Sequence, residues 1–172
     1  RITKATGLLQ NKIHSLYIDK DDFLWMALDK GISRCDYSGP ISYWNELLGL
    51  DGTVQSLIEY DRTMFIGSLQ GFYMLKDSKI SKVQSGISQT WSLLKYKVPS
   101  SKREILIIGA IEGVYVFENN KLTKIPGTSV TYKLYQSVRN PNIIYFGTEE
   151  NVGIIDYING KFEFKGFIPH TG

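Results

Sequence analysis

A single cysteine, Cys35, stands in 172 residues, which excludes an internal disulfide and any cysteine-based metal site. The two histidines, His14 and His170, lie far apart in sequence, so a zinc centre or a histidine-based triad has almost no material. No apolar run reaches the ~18 residues of a membrane span, and the segment is expected to make no membrane contact of its own. Charge of one sign is equally scarce. The 20 basic and 17 acidic residues, net +3, are interspersed, which argues against nucleic acid as a partner. Helical periodicity is missing as well: the best stretch, Tyr43 to Leu50, supports one turn at most.

What is present is a repeat. With 42% hydrophobic residues, 11 Tyr and 8 Phe, the chain has the composition of pleated, half-buried strands. The stretch Leu24-Trp25-Met26-Ala27, a turn, then Gly31-Ile32-Ser33-Arg34 returns as Phe65-Ile66-Gly67, a turn, then Gly71-Phe72-Tyr73. It returns again as Ile107-Ile108-Gly109 with Gly113-Val114-Tyr115, and as Tyr145-Phe146-Gly147 with Gly153-Ile154-Ile155. The second glycines, Gly31, Gly71, Gly113 and Gly153, are 40, 42 and 40 residues apart. A period near forty built of strands alone is the mark of propeller blades.

Each repeat opens with a first strand sharing one leucine, at Leu16, Leu57, Leu93 and Leu134. A polar turn follows at Asp19 to Asp22, Asp61 to Thr63, Pro99 to Arg103 and Asn140 to Asn142, and then the second strand. After the glycine a third strand runs into Ser38-Gly39-Pro40, Asp77-Ser78-Lys79, Asn119-Asn120-Lys121 or Asn159-Gly160-Lys161, which is hairpin chemistry. A fourth strand closes each unit. The sequence therefore predicts an all-β fold, one β-propeller segment over 1–172 with four blades of four antiparallel strands, at about 7–49, 50–86, 87–127 and 128–168. The second glycine is expected at φ > 0, and the small residues Ala27, Gly67, Gly109 and Gly147 are expected where neighbouring blades approach closely. Trp25, Phe65, Ile107 and Tyr145 share one second-strand position and are expected to be mostly buried. Cys35, aligned with Leu75, Phe117 and Tyr157, reads as a small core residue.

Thr6-Gly7 and Thr171-Gly172 are separated by 172 − 7 = 165 residues, about 41 per repeat over four repeats. Arg1 to Lys4 then reads as the end of a preceding blade, and the chain as a partial propeller cut from a longer array. Two terminal blade faces are left apolar and uncovered by that cut, so self-association through the terminal blades is expected.

The first repeat, Gly7-Leu8-Leu9-Gln10-Asn11-Lys12-Ile13-His14-Ser15-Leu16, then Asp19-Lys20-Asp21-Asp22-Phe23-Leu24-Trp25-Met26-Ala27 and Gly31-Ile32, resembles the two-component regulator propeller repeat. That family's pattern is roughly G-L-x-x-N-x-V-x-x-I, D-x-x-G-x-L-W-I-G-T, G-L. Asp22 and Ala27 replace its two glycines, and repeats two to four lose the Asn, Asp and Trp. The resemblance implies the periplasmic sensor region of a hybrid histidine kinase of Bacteroidetes, where such rings receive a signal, often a glycan fragment. The expectation is thus a non-catalytic sensory segment. A general protein-interaction propeller and a propeller glycosidase or lyase are the alternatives.

No catalytic, metal or cofactor constellation emerges. Asp19, Asp21 and Asp22 lack a closing glutamate and read as a solvated turn, not a calcium loop. Glu149 and Glu150 are adjacent and diverge, whereas glycoside hydrolysis needs two carboxyls facing one bond. A small-molecule site is expected at the mouth where first strands start and second-to-third loops end. That selects His14, Asp29 and Lys30, Gln55 and Gln70, Trp91 and Glu112, and Tyr132 and Glu149, aromatic platforms beside polar groups that suit a sugar.

Overall fold

A computed structural model describes residues 8–35, 41–83, 86–99 and 101–169. The expectations at Arg1 to Lys4, Thr6-Gly7, Ser38-Gly39-Pro40, His170 and Thr171-Gly172 lie outside the described residues. Among the described residues sixteen strands form four sheets. The first holds β1 (Ile13–Ile18), β2 (Leu24–Leu28), β3 (Gly31–Cys35) and β4 (Ser42–Trp44), and the second β5 (Val54–Tyr60), β6 (Thr63–Ser68), β7 (Gly71–Lys76) and β8 (Lys79–Lys82). The third is β9 (Thr90–Lys97), β10 (Glu104–Ala110), β11 (Gly113–Glu118) and β12 (Lys121–Lys124), and the fourth β13 (Lys133–Gln136), β14 (Ile143–Gly147), β15 (Val152–Ile158) and β16 (Lys161–Phe167). Within each sheet the strands lie in sequence order, an antiparallel meander, so each sheet is one blade. The stretch from Tyr43 holds a single 3₁₀ turn, Glu46–Leu48, capped by the Asn45 side chain and ended by Gly49 at φ 91°.

Turn chemistry fixes the registers. Lys76 pairs with Lys79 across Asp77 (φ 49°) and Ser78 (φ 62°), and Ile158 with Lys161 across Asn159 (φ 50°) and Gly160 (φ 82°). Two central residues at positive φ make the tight turn whose twist matches the flanking strands, and Asn, Asp and Gly tolerate it at least cost. Asp22, which stands where the family pattern has glycine, has φ 62°. The position demands a left-handed backbone, and Asp is among the few other residues that adopt it readily.

The chain divides into two compact units, Arg1–Thr90 and Trp91–Gly172. In the first, one core is shared by blades 1 and 2: Trp25, Ala27, Ile32 and Trp44 from one sheet meet Val54, Leu57, Ile66 and Tyr73 from the other. The Trp25 and Trp44 rings stack with centroids 5.4 Å apart. In the second, Ile105, Ile107 and Val114 of blade 3 meet Ile144, Phe146 and Ile155 of blade 4. Strand alternation explains the pattern. The position of Trp25 and Ile107 faces the following blade, while the position of Leu57 and Leu134 faces the preceding one.

That assignment accounts for the aligned residues that are not buried. Leu16 occupies the Leu57 position on blade 1 and is 59% exposed, against 8% for Leu57. Tyr145 occupies the Ile107 position on blade 4 and is half-buried, while Trp25, Phe65 and Ile107 are all buried. Cys35 packs in a small cluster with Leu8, Met26 and Leu28 on the other face of blade 1.

The glycines divide by role. Gly31, Gly71 and Gly113 have φ of 127°, 138° and 135° and begin their strands directly after the turn. Gly153 does not. In blade 4 the residue four beyond the small Gly147 is Asn151, and the turn is closed by Thr148 N–H donating to the Asn151 carbonyl at 2.8 Å. Gly153 instead lies inside β15 opposite Phe146, whose ring occupies the space a Cβ would need. The expectation of a positive φ is therefore corrected at this position, because the longer turn does the bending before the strand begins.

Close approach holds at some of the small residues only. A Cβ on Gly109 would come within 2.8 Å of the Thr131 methyl carbon and 3.2 Å of the Thr131 carbonyl oxygen, at the entry to blade 4. At Gly147 the nearest atom is 4.0 Å away. Gly109→Ala is accordingly expected to lose about 1–3 kcal/mol by overpacking, and Gly147→Ala to stay within about 0.5 kcal/mol of the parent. Chemical denaturation compares the two, and equal losses would refute the close approach. Trp25→Ala, which empties a position 5% exposed, is expected to cost about 3–5 kcal/mol; a variant that unfolds with the parent's midpoint would refute the register.

Candidate functional site

The residues selected for the mouth occupy one end of each blade. Ile13 pairs with Leu28 and Val54 with Ser68, so the start of a first strand lies beside the loop joining second and third strands. In the first unit this brings His14 onto Asp29, where the imidazole hydrogen-bonds the carboxylate. The hydrogen bond to His14, with Lys12 at 3.7 Å, lowers the pKa of the Asp29 carboxyl. Lys30 extends an exposed side chain, while its backbone N–H donates to Gln10 Oε1 at 3.1 Å. Gln55 is half-buried on β5, and exposed Gln70 packs its stem against Gly52.

In the second unit the Trp91 and Tyr132 rings meet edge to face with centroids 5.0 Å apart. Tyr132 N–H donates to the Gly147 carbonyl at 2.8 Å, and Thr131 N–H to the Ala110 carbonyl at 2.9 Å. These two bonds fix the entry strand of blade 4 against both loop ends. The indole N–H of Trp91 is buried with no hydrogen-bond acceptor among the described residues, an unfavourable state for a strong donor. Glu112 is half-buried in the β10–β11 turn, and its charge, with burial as the larger cause, raises the pKa of the neighbouring Tyr115 phenol. Glu149 is exposed beside Glu150 in the β14–β15 turn, which borders a shallow recess with Asn151, Ile168 and Pro169. Thus each unit gathers its own selected residues at loop ends, and Trp91 with Tyr132 is the pair in direct ring contact.

Sequence reasoning did not single out the opposite end of blades 1 and 2, where the first-to-second and third-to-fourth turns lie. There Asp19 organises its own turn: Oδ1 accepts from Asp21 N–H and Phe23 N–H, each at 3.0 Å, and Oδ2 accepts from Trp25 Nε1 at 2.7 Å. The carboxylate is a structural acceptor. Trp44 Nε1 donates to the Ser78 carbonyl at 3.4 Å across the blade boundary. Between the turns opens a cavity of about 170 Å³, walled by Trp25, Trp44, Met64 and Leu75 and rimmed by charged side chains. The signal was present in Asp19, Trp25 and Arg34 of the first repeat, but their convergence with Arg62 and Asp77 needs the blade packing. Among the described residues no group of three or more His, Cys, Asp or Glu is placed to hold a metal ion, and no helix is long and apolar enough to cross a membrane.

Comparison with known proteins follows this geometry. Residues 7–30 match the two component regulator propeller model, and no curated protein sequence matches the chain. Among solved structures, the extracellular domain of a hybrid two component system from B. thetaiotaomicron superposes with a TM-score of 0.75 at 19% identity, over 96% of this chain and 23% of that one. The extracellular domain of a one component system from B. thetaiotaomicron gives 0.70 at 20% identity, over 90% and 22%. A streptogramin B lyase gives 0.64 at 14% identity, over 96% and 56%. The chain spans less than a quarter of the two extracellular domains. At these identities the likeness establishes the fold: the chain is a β-propeller segment, and its residues 7–30 match the two component regulator propeller repeat.

Proposed function

We propose that this chain is a non-catalytic sensory segment from the extracytoplasmic part of a two-component sensor, periplasmic in its cell, and that it receives a glycan fragment. The match of residues 7–30 to the two component regulator propeller carries the reading. The extracellular sensor domains that share its fold support it. The streptogramin B lyase shares the fold too, and on that ground alone catalysis is equally compatible, since one fold hosts many functions. The residues favour reception. The adjacent carboxylates Glu149 and Glu150 stand exposed in a turn, an arrangement unlike the two carboxyls facing one bond that glycosidic cleavage uses.

Within that reading the second unit supplies the receptor surface. The Trp91 ring against Tyr132 offers an apolar edge, and an acceptor brought to the Trp91 N–H relieves a buried, unanswered donor. Calorimetric titration of the purified chain with a glycan panel is expected to give saturable binding with every glycan recovered intact. Trp91→Phe, which keeps an aromatic ring and removes the donor, is expected to weaken that binding about tenfold, the worth of one hydrogen bond of roughly 1.4 kcal/mol. Hydrolysed product that disappears in Glu149→Gln would overturn the non-catalytic reading.

The same proposal covers a partner. Leu16 and Ile18 (56% exposed) stand on the face of blade 1 turned away from blade 2, and Tyr135 (59%) on the face of blade 4 turned away from blade 3. At the aligned positions inside each unit the equivalent side chains are covered by a neighbouring blade, so the occupant that fits is another blade, which for the isolated chain means a second copy. Light scattering over a concentration series is expected to show mass rising toward a dimer, and Leu16→Glu or Tyr135→Glu to hold the chain monomeric. A parent monomeric at every concentration would sink this.

A further inference from the structure

Among the described residues, Arg34 is the one half-buried cation whose partner the packing of blades 1 and 2 does not supply. It stands in mid-β3, cross-strand from Trp25 and Ser42, on the face turned toward blade 2. Its guanidinium carbon lies 3.8 Å from the Phe23 ring centroid and 5.6 Å from that of Trp25. Stacking uses the flat faces of the guanidinium and leaves its edge of N–H donors unspent. Among the described residues that edge donates no hydrogen bond and meets no carboxylate. A cation drawn halfway out of water without an acceptor is unfavourable, and it is also preorganised.

The edge gives onto the cavity of about 170 Å³ between the turns of the two blades. The cavity's carboxylates do not meet that edge. Asp19 is spent on two backbone N–H groups and the Trp25 indole. Glu59 faces Lys20 at 3.9 Å. The cations Arg34, Arg62 and Lys76, with Lys20 beside Glu59, balance the carboxylates of Asp19, Asp21, Glu59 and Asp77, 4 − 4 = 0, so attraction for an anion is local and comes from the unspent N–H edge of Arg34, the stacked member of the set. A planar carboxylate matches the guanidinium fork with two parallel hydrogen bonds. The indole and Met64 walls favour an organic body behind that carboxylate over a bare inorganic anion. Drug-sized ligands take ~300 Å³ or more, so the occupant is about one ring in size.

We propose that this cavity binds a small organic monocarboxylate, received by the Arg34 fork and flanked by Arg62 and Lys76. The site lies at the opposite end of the blades from the mouth residues, so it stands or falls independently of glycan reception there. Two of the three tryptophans, Trp25 and Trp44, line it and report on it. The experiment titrates the whole chain with acetate, benzoate and glucuronate at constant ionic strength, with glucose and inorganic phosphate as controls, and follows the indole N–H resonances. The expected result is a saturable shift of the Trp25 and Trp44 signals with at least one carboxylate, none with glucose, and a Trp91 signal that stays still. Arg34→Gln is expected to weaken the response at least tenfold, and Arg34→Lys, which keeps the charge and loses the fork, to fall between. The exposed double variant Arg62→Gln/Lys76→Gln keeps the test decisive where Arg34 variants do not fold, and is expected to weaken binding severalfold. No response to any of the three carboxylates, an equal response to glucose, tighter binding of phosphate, or full binding by Arg34→Gln or by the double variant would each overturn the proposal.

Discussion

A four-stranded sheet with apolar side chains on both faces cannot stand alone in water, and most of this chain follows from covering it. Burial of a large apolar side chain is worth about 1.5–3 kcal/mol, and each blade carries such residues in both strand phases, as in Leu106 and Ile107 or Phe65 and Ile66. One neighbour per face is the remedy. The central strands β6 and β10 have runs in which every residue is buried, Thr63–Ser68 and Ile105–Ala110. In β13 and β16 the phases alternate half-buried with exposed. Burial along a strand is set by how many faces are covered, more than by the strand's own sequence.

Packing that close places demands on the backbone, and the demands differ between blades. Gly109 is small because Thr131 arrives there, whereas a Cβ on Gly147 would meet nothing nearer than Lys133 at 4.0 Å. Gly31, Gly71 and Gly113 are glycine because of their dihedrals, whereas Gly153 is glycine because the Phe146 ring lies across it. Residues that look equivalent in an alignment thus answer to two separate constraints, backbone angle and space for a ring.

Much of this was legible beforehand. Strand order, the four sheets and the tight turns at Asp77-Ser78 and Asn119-Asn120 could be read because each depends on residues close in sequence. The fates of Leu16 and Tyr145 were harder: their aligned partners are buried, and only the identity of the covering blade separates a 59% exposed leucine from an 8% exposed one. The blade-end cavity was not legible at all. Asp19 is an unremarkable turn residue and Arg34 an unremarkable polar break in a strand, until Met64 and Asp77, over forty positions beyond Asp19, arrive opposite them. Chemistry made by side chains from different repeats has no local signature.

The same logic separates what the repeat needs from what it carries. A blade uses Asp19 to hold its first turn and to fix the Trp25 indole, and Trp25 to cover the next blade. Both sit within the matched residues 7–30, so the family pattern records a packing device. Arg34 lies outside that span and, among the described residues, its side chain contributes no polar bond to the architecture. Deleting its charge would remove a desolvation cost and with it the stacking of the guanidinium on Phe23 and Trp25, so stability accounts for the flat faces of that side chain and leaves its N–H edge without a structural use. A donor edge that the fold holds half out of water and leaves unused is where function is most economically sought, because natural chains depart from local consistency chiefly at sites that do something else.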